Sequence, residues 1–332
     1  MLLIVDKLDK IKANSLEIFK MSAPMKPLSL IYNQKSGFHA ANKDEVYEQL
    51  ITCLTAYGYE IQAFEISIES NFDNLMKKII LRHTQAGELG VVVAAGGDGT
   101  LNAVASKLIG TNIPMGIFPL GTFNYVARLL NIPLDLLKAA DVIGQGNSRA
   151  VHVAQINNYI YLNNASLGLY PLFIQKRELY NKHLGRFTLN AYTSALDVLV
   201  RDRKELKLEV GIDGKKYPVK TPLIFFGNNQ LQLSDMNLRI AECAEKGQVA
   251  GVVVAKSDKR TLFKILWQLI KGDLERASDV YSFSADEVTV HSKRKKLTVA
   301  LDGEIVEIQT PLKISVLKNA LKIMVPHDST FV

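Results

Sequence analysis

Cysteine is almost absent: Cys53 and Cys243 are the two in a chain of 332 residues. Two thiols cannot staple a scaffold of this size or close a four-ligand zinc site. A disulfide-rich secreted module is excluded, and a reducing compartment, the cytoplasm, fits. The chain also lacks any apolar stretch near the ~18 residues of a membrane span. Its longest apolar runs, 91–95 and 252–255, have strand length, so no transmembrane segment is expected. No secretory signal is read in the first residues, because Asp6, Lys7, Asp9, Lys10 and Glu17 break the apolar pattern early. Compositional bias is missing too. With 48% hydrophobic and 22% charged residues, 21 Gly and 10 Pro, disordered, collagen-like and low-complexity chains are excluded. There is no zinc-finger spacing, no aromatic-and-basic RNA-binding signature, and no metal spacing around His152 or His291. No nucleic-acid partner is expected.

What is present starts with charge. Forty Lys and Arg against 33 Asp and Glu leave +7, and the isoelectric point is about 9.1. A basic excess suits anionic lipid or phosphorylated ligands without choosing between them. The densest cluster, Lys293-Arg294-Lys295-Lys296, reads as a solvated hairpin loop.

Residues 28–32 form a short apolar strand signal, followed by a loop beginning at Asn33. Helical spacing covers 43–56, ended by Gly58. Residues 59–68 read as a strand, 72–83 as a helix and 89–95 as a nearly all-apolar strand. That cadence belongs to a parallel sheet covered on both faces. After about residue 150 it changes. Segments 153–163, 206–212, 217–226, 247–255, 287–291, 297–301 and 304–308 read as strands of an antiparallel sheet or sandwich, interrupted by helical stretches near 189–200 and 259–271. The expected fold class is α/β: an N-terminal α/β nucleotide-binding domain with a parallel sheet at 26–150, then a mainly antiparallel β-sandwich domain at 151–326. The C-terminal segment is allowed to return to the first domain. Residues 1–25 read as an extension, either an amphipathic helix that docks or a loose terminus.

The strongest chemical signal is Gly96-Gly97-Asp98-Gly99-Thr100. It lies between an apolar strand and a helix whose Leu101, Val104, Ala105 and Leu108 share one face. Glycines let the backbone approach a ligand, and the free amides of a helix N-terminus suit phosphate. A carboxylate among them makes sense if a divalent cation lies between, or if it handles a proton. A second strand–turn–helix, Pro119-Leu120-Gly121-Thr122, repeats the arrangement. Two such turns on neighbouring strands would converge where open α/β sheets bind ligands. A third element is Asp302-Gly303-Glu304 between two alternating strands. Asp-Gly is a hairpin turn signal, as at Asp213-Gly214. Two carboxylates around one glycine are also costly unless a cation or proton is shared. Both readings stay open on the residues alone.

These motifs, with Asn33-Gln34-Lys35-Ser36-Gly37, Phe123-Asn124 and Thr310-Pro311-Leu312, resemble the diacylglycerol kinase catalytic-domain family, bacterial lipid kinases related to sphingosine and ceramide kinases. The resemblance runs in order from about residue 26 to 326. It implies an ATP-dependent lipid kinase with ATP as co-substrate and Mg2+. Gly96, Gly97, Asp98, Gly99 and Thr100 would hold the phosphates and magnesium, and Asn33, Gly121, Thr122 and Gly303 would line the nucleotide site. Glu304 would be the general base on a lipid hydroxyl, with Asp98 and Asp302 in the metal network. Lys182 and Arg186 are candidates for contact with phosphates, or else a solvated helix face. The partner implied is a lipid at a membrane surface. The protein would be cytoplasmic or peripheral at the membrane, and a homodimer stays open.

Three departures from the family pattern stand out. Gln34 replaces the usual Pro after Asn33. Tyr125 follows Asn124, where many bacterial members have Asp. Ala241–Gln248 replaces an Asp-rich segment that holds a structural metal in some relatives, so no such metal is expected. Two alternatives remain: a NAD kinase, which shares the glycine-rich loop, and a catalytically silent lipid- or nucleotide-binding protein. Phe173, Phe225, Phe226 and Trp267 read as core or as the lining of a lipid pocket.

Overall fold

The computed structural model describes residues 25–33, 43–66, 71–86, 90–169, 171, 205–255, 258–270, 274, 277 and 279–327. The N-terminal extension up to residue 24, Gln34, Ser36, Gly37, Phe173, Lys182, Arg186 and the expected helix at 189–200 lie outside them.

Among the described residues four parallel strands come first: β1 (Lys26–Tyr32), β2 (Tyr59–Glu65), β3 (Val91–Gly96) and β4 (Met115–Pro119). They lie in the order β2-β1-β3-β4. Every residue of β3 is buried, as expected of a parallel strand covered on both faces. The helices between them are α1 (Lys43–Ala56), α2 (Phe72–Gln85) and α3 (Asp98–Leu108). The short α4 (Tyr125–Leu129) and then α5 (Leu136–Gln145) follow β4. Helix α5 was not anticipated, although both its ends are marked. Asp135 accepts from the Lys138 amide at the N-cap, and Gly146 closes it at φ 75°.

The segment read as one strand at 153–163 is a hairpin. It consists of β5 (Ser148–Ile156) and β6 (Tyr159–Tyr161), turned at Asn157, whose φ is 51°. Likewise 217–226 divides at Pro222 into β9 (Lys215–Thr221) and β10 (Leu223–Gly227), because proline cannot donate to a ladder. The expected strand at 59–68 is assigned only to Glu65.

The other strands are β7 (Asn164–Gly168), β8 (Leu206–Ile212), β11 (Val249–Val254), β12 (Val280–Ala285), β13 (Glu287–Ser292), β14 (Lys296–Leu301), β15 (Glu304–Gln309) and β16 (Leu312–Met324). Helices α6 (Gln230–Asp235), α7 (Ala241–Glu245) and α8 (Lys259–Ile270) lie among them. One antiparallel sheet runs β12-β11-β10-β7-β14-β15. The other is continuous with the parallel sheet, as β4-β16-β13-β8-β9. Val210, Val288, Val290 and Ile314 from one sheet pack with Leu167, Ile224, Phe226 and Val299 from the other, the core of a β-sandwich.

Strand β16 is the seam. Its start pairs antiparallel with β13, and its end pairs parallel with β4, Ile323 opposite Met115. Between them a bulge from Leu317 to Leu321 interrupts its long ladder with β5. Four residue steps on β16 oppose two on β5, and two extra residues in one strand bend it where it passes from one sheet region to the other.

Candidate active site

The parallel strands deliver three loops to one sheet edge. In β1, Tyr32 pairs with Ala95, which brings Asn33 to the level of Gly96. Gly96 pairs with Pro119, and the Leu120 amide donates to the Gly96 carbonyl at 3.1 Å. Gly97 caps α3 without a side chain, and the first helical bond runs from the Leu101 amide to the Gly97 carbonyl. Helical geometry therefore leaves the amides of Asp98, Gly99 and Thr100 without intrahelical acceptors, under the positive end of an 11-residue helix.

The glycines have distinct reasons. A Cβ on Gly121 would lie 2.7 Å from the Gly97 Cα, so the two loops touch backbone to backbone. A Cβ on Gly96 would strike the Thr100 side chain at 2.5 Å. A Cβ on Gly99 would meet Glu304 Oε1 at 2.9 Å. Glu304, the exposed first residue of β15, therefore lies against the helix N-terminus although it comes from the other sheet. The second loop is buckled by Asn124 in the left-handed region, at φ 49°. Its Oδ1 accepts from the Gly121 amide at 2.8 Å, and its Nδ2 donates to the Gly121 carbonyl at 2.9 Å. Thr122 beside it is exposed.

Asp302 and Gly303 form the β14–β15 turn with φ 48° and 92°, the positive pair that a two-residue hairpin demands. Asp302 is only part-buried as a residue, but its carboxyl group is enclosed. Its Oδ2 accepts from the Leu162 amide at 2.6 Å, and its Oδ1 accepts from the Asn163 and Asn164 amides at 2.8 and 3.0 Å. The side chain thus pins the β6–β7 corner. Burial pushes its pKa up to about 7, the three amides oppose that rise, and the charge of Asp98 adds to it.

Asp98 is placed differently. Its Oδ1 is enclosed and, among the described residues, accepts no hydrogen bond. A carboxylate oxygen in that state is costly unless a cation completes it. No group of three or more His, Cys, Asp or Glu gathers among the described residues. These observations fit a magnesium ion held by one carboxylate, with phosphate and water oxygens supplying its other ligands. They do not fit an all-protein cage.

Sequence reasoning missed a polar network beneath the hairpin. Asn229 Nδ2 donates to Asn163 Oδ1 at 2.9 Å, Asn164 Nδ2 to Gln232 Oε1 at 3.0 Å, and Asn228 Nδ2 to the Leu162 carbonyl at 3.0 Å. Its signal was available: two Asn-Asn pairs, 163–164 and 228–229, each bounding an apolar strand. Tyr125 reaches the same network through a hydrogen bond with Gln232. Burial raises its pKa, and Asp235 adds to the rise. Arg128 lies 5.7 Å over its ring. Of the aromatics considered for a lipid pocket, Phe226 is core, Phe225 is partly buried, and Trp267 is 59% exposed, neither core nor enclosed lining.

The chain was compared with known proteins. Residues 27–156 match the model of the diacylglycerol kinase catalytic domain, and residues 177–325 match the YegS C-terminal NAD kinase beta sandwich-like domain. A diacylglycerol kinase of Staphylococcus aureus (strain Newman) is 28% identical over 302 residues, covering 90% of this chain and 92% of that one. The diacylglycerol kinase of Bacillus subtilis (strain 168) is 26% identical over 284 residues, covering 84% and 90%. An uncharacterized protein of Synechocystis sp. is 28% identical over 284 residues, and that match spans 80% of this chain but under two thirds, 63%, of the relative. Among solved structures, a diacylglycerol kinase from Bacillus anthracis str. Sterne superimposes with a TM-score of 0.68 at 19% identity, over 92% of this chain and 99% of that one.

Proposed function

The chain belongs to the diacylglycerol kinase catalytic-domain family, and from that membership we propose that it transfers the γ-phosphate of ATP to a hydroxyl of a diacylglycerol-like or sphingoid-like lipid. The observation that carries the reading is Glu304 meeting the Gly99 backbone, a free carboxylate beside a loop built for phosphate. In this proposal the amides of Gly97–Thr100, with Thr122 and Asn33, bind the nucleotide phosphates. Glu304 accepts the proton of the lipid hydroxyl as that oxygen attacks, because an alcohol is a weak nucleophile without a base in reach. Asp302 does not touch the reacting atoms; it holds the hairpin that presents Glu304. Asp98 would hold magnesium, which when bound offsets the charge on the transferred phosphoryl group. We also propose residues 26–150 as the nucleotide unit and 151–326 as the lipid unit, with peripheral contact at a membrane.

Residues 177–325 match a model described as NAD kinase β-sandwich-like, and this favours a second reading with NAD as acceptor. One experiment separates the two. Labelled ATP with Mg2+ is offered to mixed micelles of diacylglycerol, monoacylglycerol, sphingosine and ceramide, and separately to NAD. Labelled lipid, absent with Glu304→Gln, supports the lipid kinase. Label on NAD alone overturns it.

A further inference from the structure

Helix α8 carries an exposed face that the catalytic reading does not use. Its inner side is apolar: Leu262 is 4% exposed and packs with Leu169 and Val254, and Ile265 packs beside them. The outer side holds Arg260, Phe263, Lys264 and Trp267, all exposed, with Phe263 at 42% and Trp267 at 59%. Their spacing is i, i+3, i+4, i+7, so the four share one helical face. Phe263 and Trp267, four residues apart, lie side by side on this face and form one apolar patch rather than scattered single side chains. Two basic side chains among two aromatics are the composition of a helix lying in a membrane interface. There the rings enter the headgroup–acyl boundary while Lys and Arg snorkel to phosphates. Formal charge on the chain is +7, which complements an anionic leaflet.

We propose that the outer face of α8, formed by Arg260, Phe263, Lys264 and Trp267, docks the protein on an anionic bilayer. The choice of a bilayer over a second protein copy rests on the lipid-kinase reading; the composition of the face does not.

Trp267 is the single tryptophan of the chain, so its fluorescence reports this face directly and needs no turnover. The full-length protein is titrated with vesicles of phosphatidylcholine, with and without phosphatidylglycerol, at low and high salt. A blue shift with phosphatidylglycerol vesicles, quenched by lipids brominated along their chains, is expected. Binding should fall about fivefold for each basic residue neutralised, and so about 30-fold for Arg260→Gln with Lys264→Gln, the equivalent of ~1 kcal/mol per charge at the surface. Phe263→Ser should weaken binding while keeping the salt dependence. No shift with anionic vesicles overturns the proposal. So does a shift that grows with protein concentration without lipid, which would assign the face to a second copy. Phosphate transfer to a monodisperse short-chain diacylglycerol is measured in parallel. Transfer without a Trp267 shift removes the docking face and leaves the kinase standing. A shift without transfer to any lipid does the reverse.

Discussion

At the scale of single residues, three positions separate chemistry from support. Glu304 is exposed and lies beyond the enclosed turn, so Glu304→Gln is expected to lower transfer by ~10²–10⁴-fold with an unchanged melting temperature. A matching loss of stability would assign it a structural role. Gly121→Ala forces a Cβ against the Gly97 backbone, and urea denaturation should show a loss of ~1–3 kcal/mol. At Gly99→Ala the clash falls instead on the movable end of Glu304, so stability should hold while turnover drops. Asp302 gives a pH signature. Folded, its proton is held up to about pH 7; unfolded, it is released near the ordinary 3.8. Between those values the folded state binds more protons, so this group's contribution to stability falls as pH rises from about 4 to about 7 and then levels. Asp302→Asn should abolish that slope in denaturation curves across the interval, and equal slopes in both proteins would contradict the assignment.

At the scale of elements, local chemistry was the legible part. The turn at Asp302-Gly303 and its counterpart at Asp213-Gly214 both adopt positive φ at each residue, as the Asp-Gly pairs indicate. The loop from Gly96 to Thr100 opens a helix as its glycines and apolar spacing imply. Less was visible where the decisive contact is remote. Asn157 and Pro222 divided strands that an apolar pattern joins. The pairs Asn163-Asn164 and Asn228-Asn229 look like loop residues until the sandwich folds them into one buried network. Trp267 reads as core because sequence shows its spacing on α8 but not which side of that helix is buried. Nor does spacing reveal that Asp302 turns its carboxyl group onto three amides while Glu304, two residues on, stays exposed. Asn124 tests the element view. Asn124→Gly keeps the positive φ at no strain and loses only the two bonds to Gly121, whereas Asn124→Ala loses the bonds and strains the backbone as well. Denaturation should therefore rank Ala below Gly, by about 1 kcal/mol.

For the whole molecule, β16 joins what would otherwise be two bodies. It pairs with β4 in the parallel sheet and with β13 in the sandwich, so neither half completes its sheet without it. Calorimetry of the full chain should give one cooperative transition; two resolved transitions would show that the seam does not couple the halves. The candidate site draws on both halves, because the helix N-terminus at Asp98 belongs to one and the Glu304 hairpin to the other. The most direct test of that convergence is the initial rate of γ-phosphate transfer from Mg-ATP to diacylglycerol in mixed micelles, by wild type and Glu304→Gln side by side. Labelled lipid from the wild type, reduced at least ~100-fold in the variant, is the predicted result. Equal rates from both proteins, or label appearing on NAD and on no lipid, would contradict it.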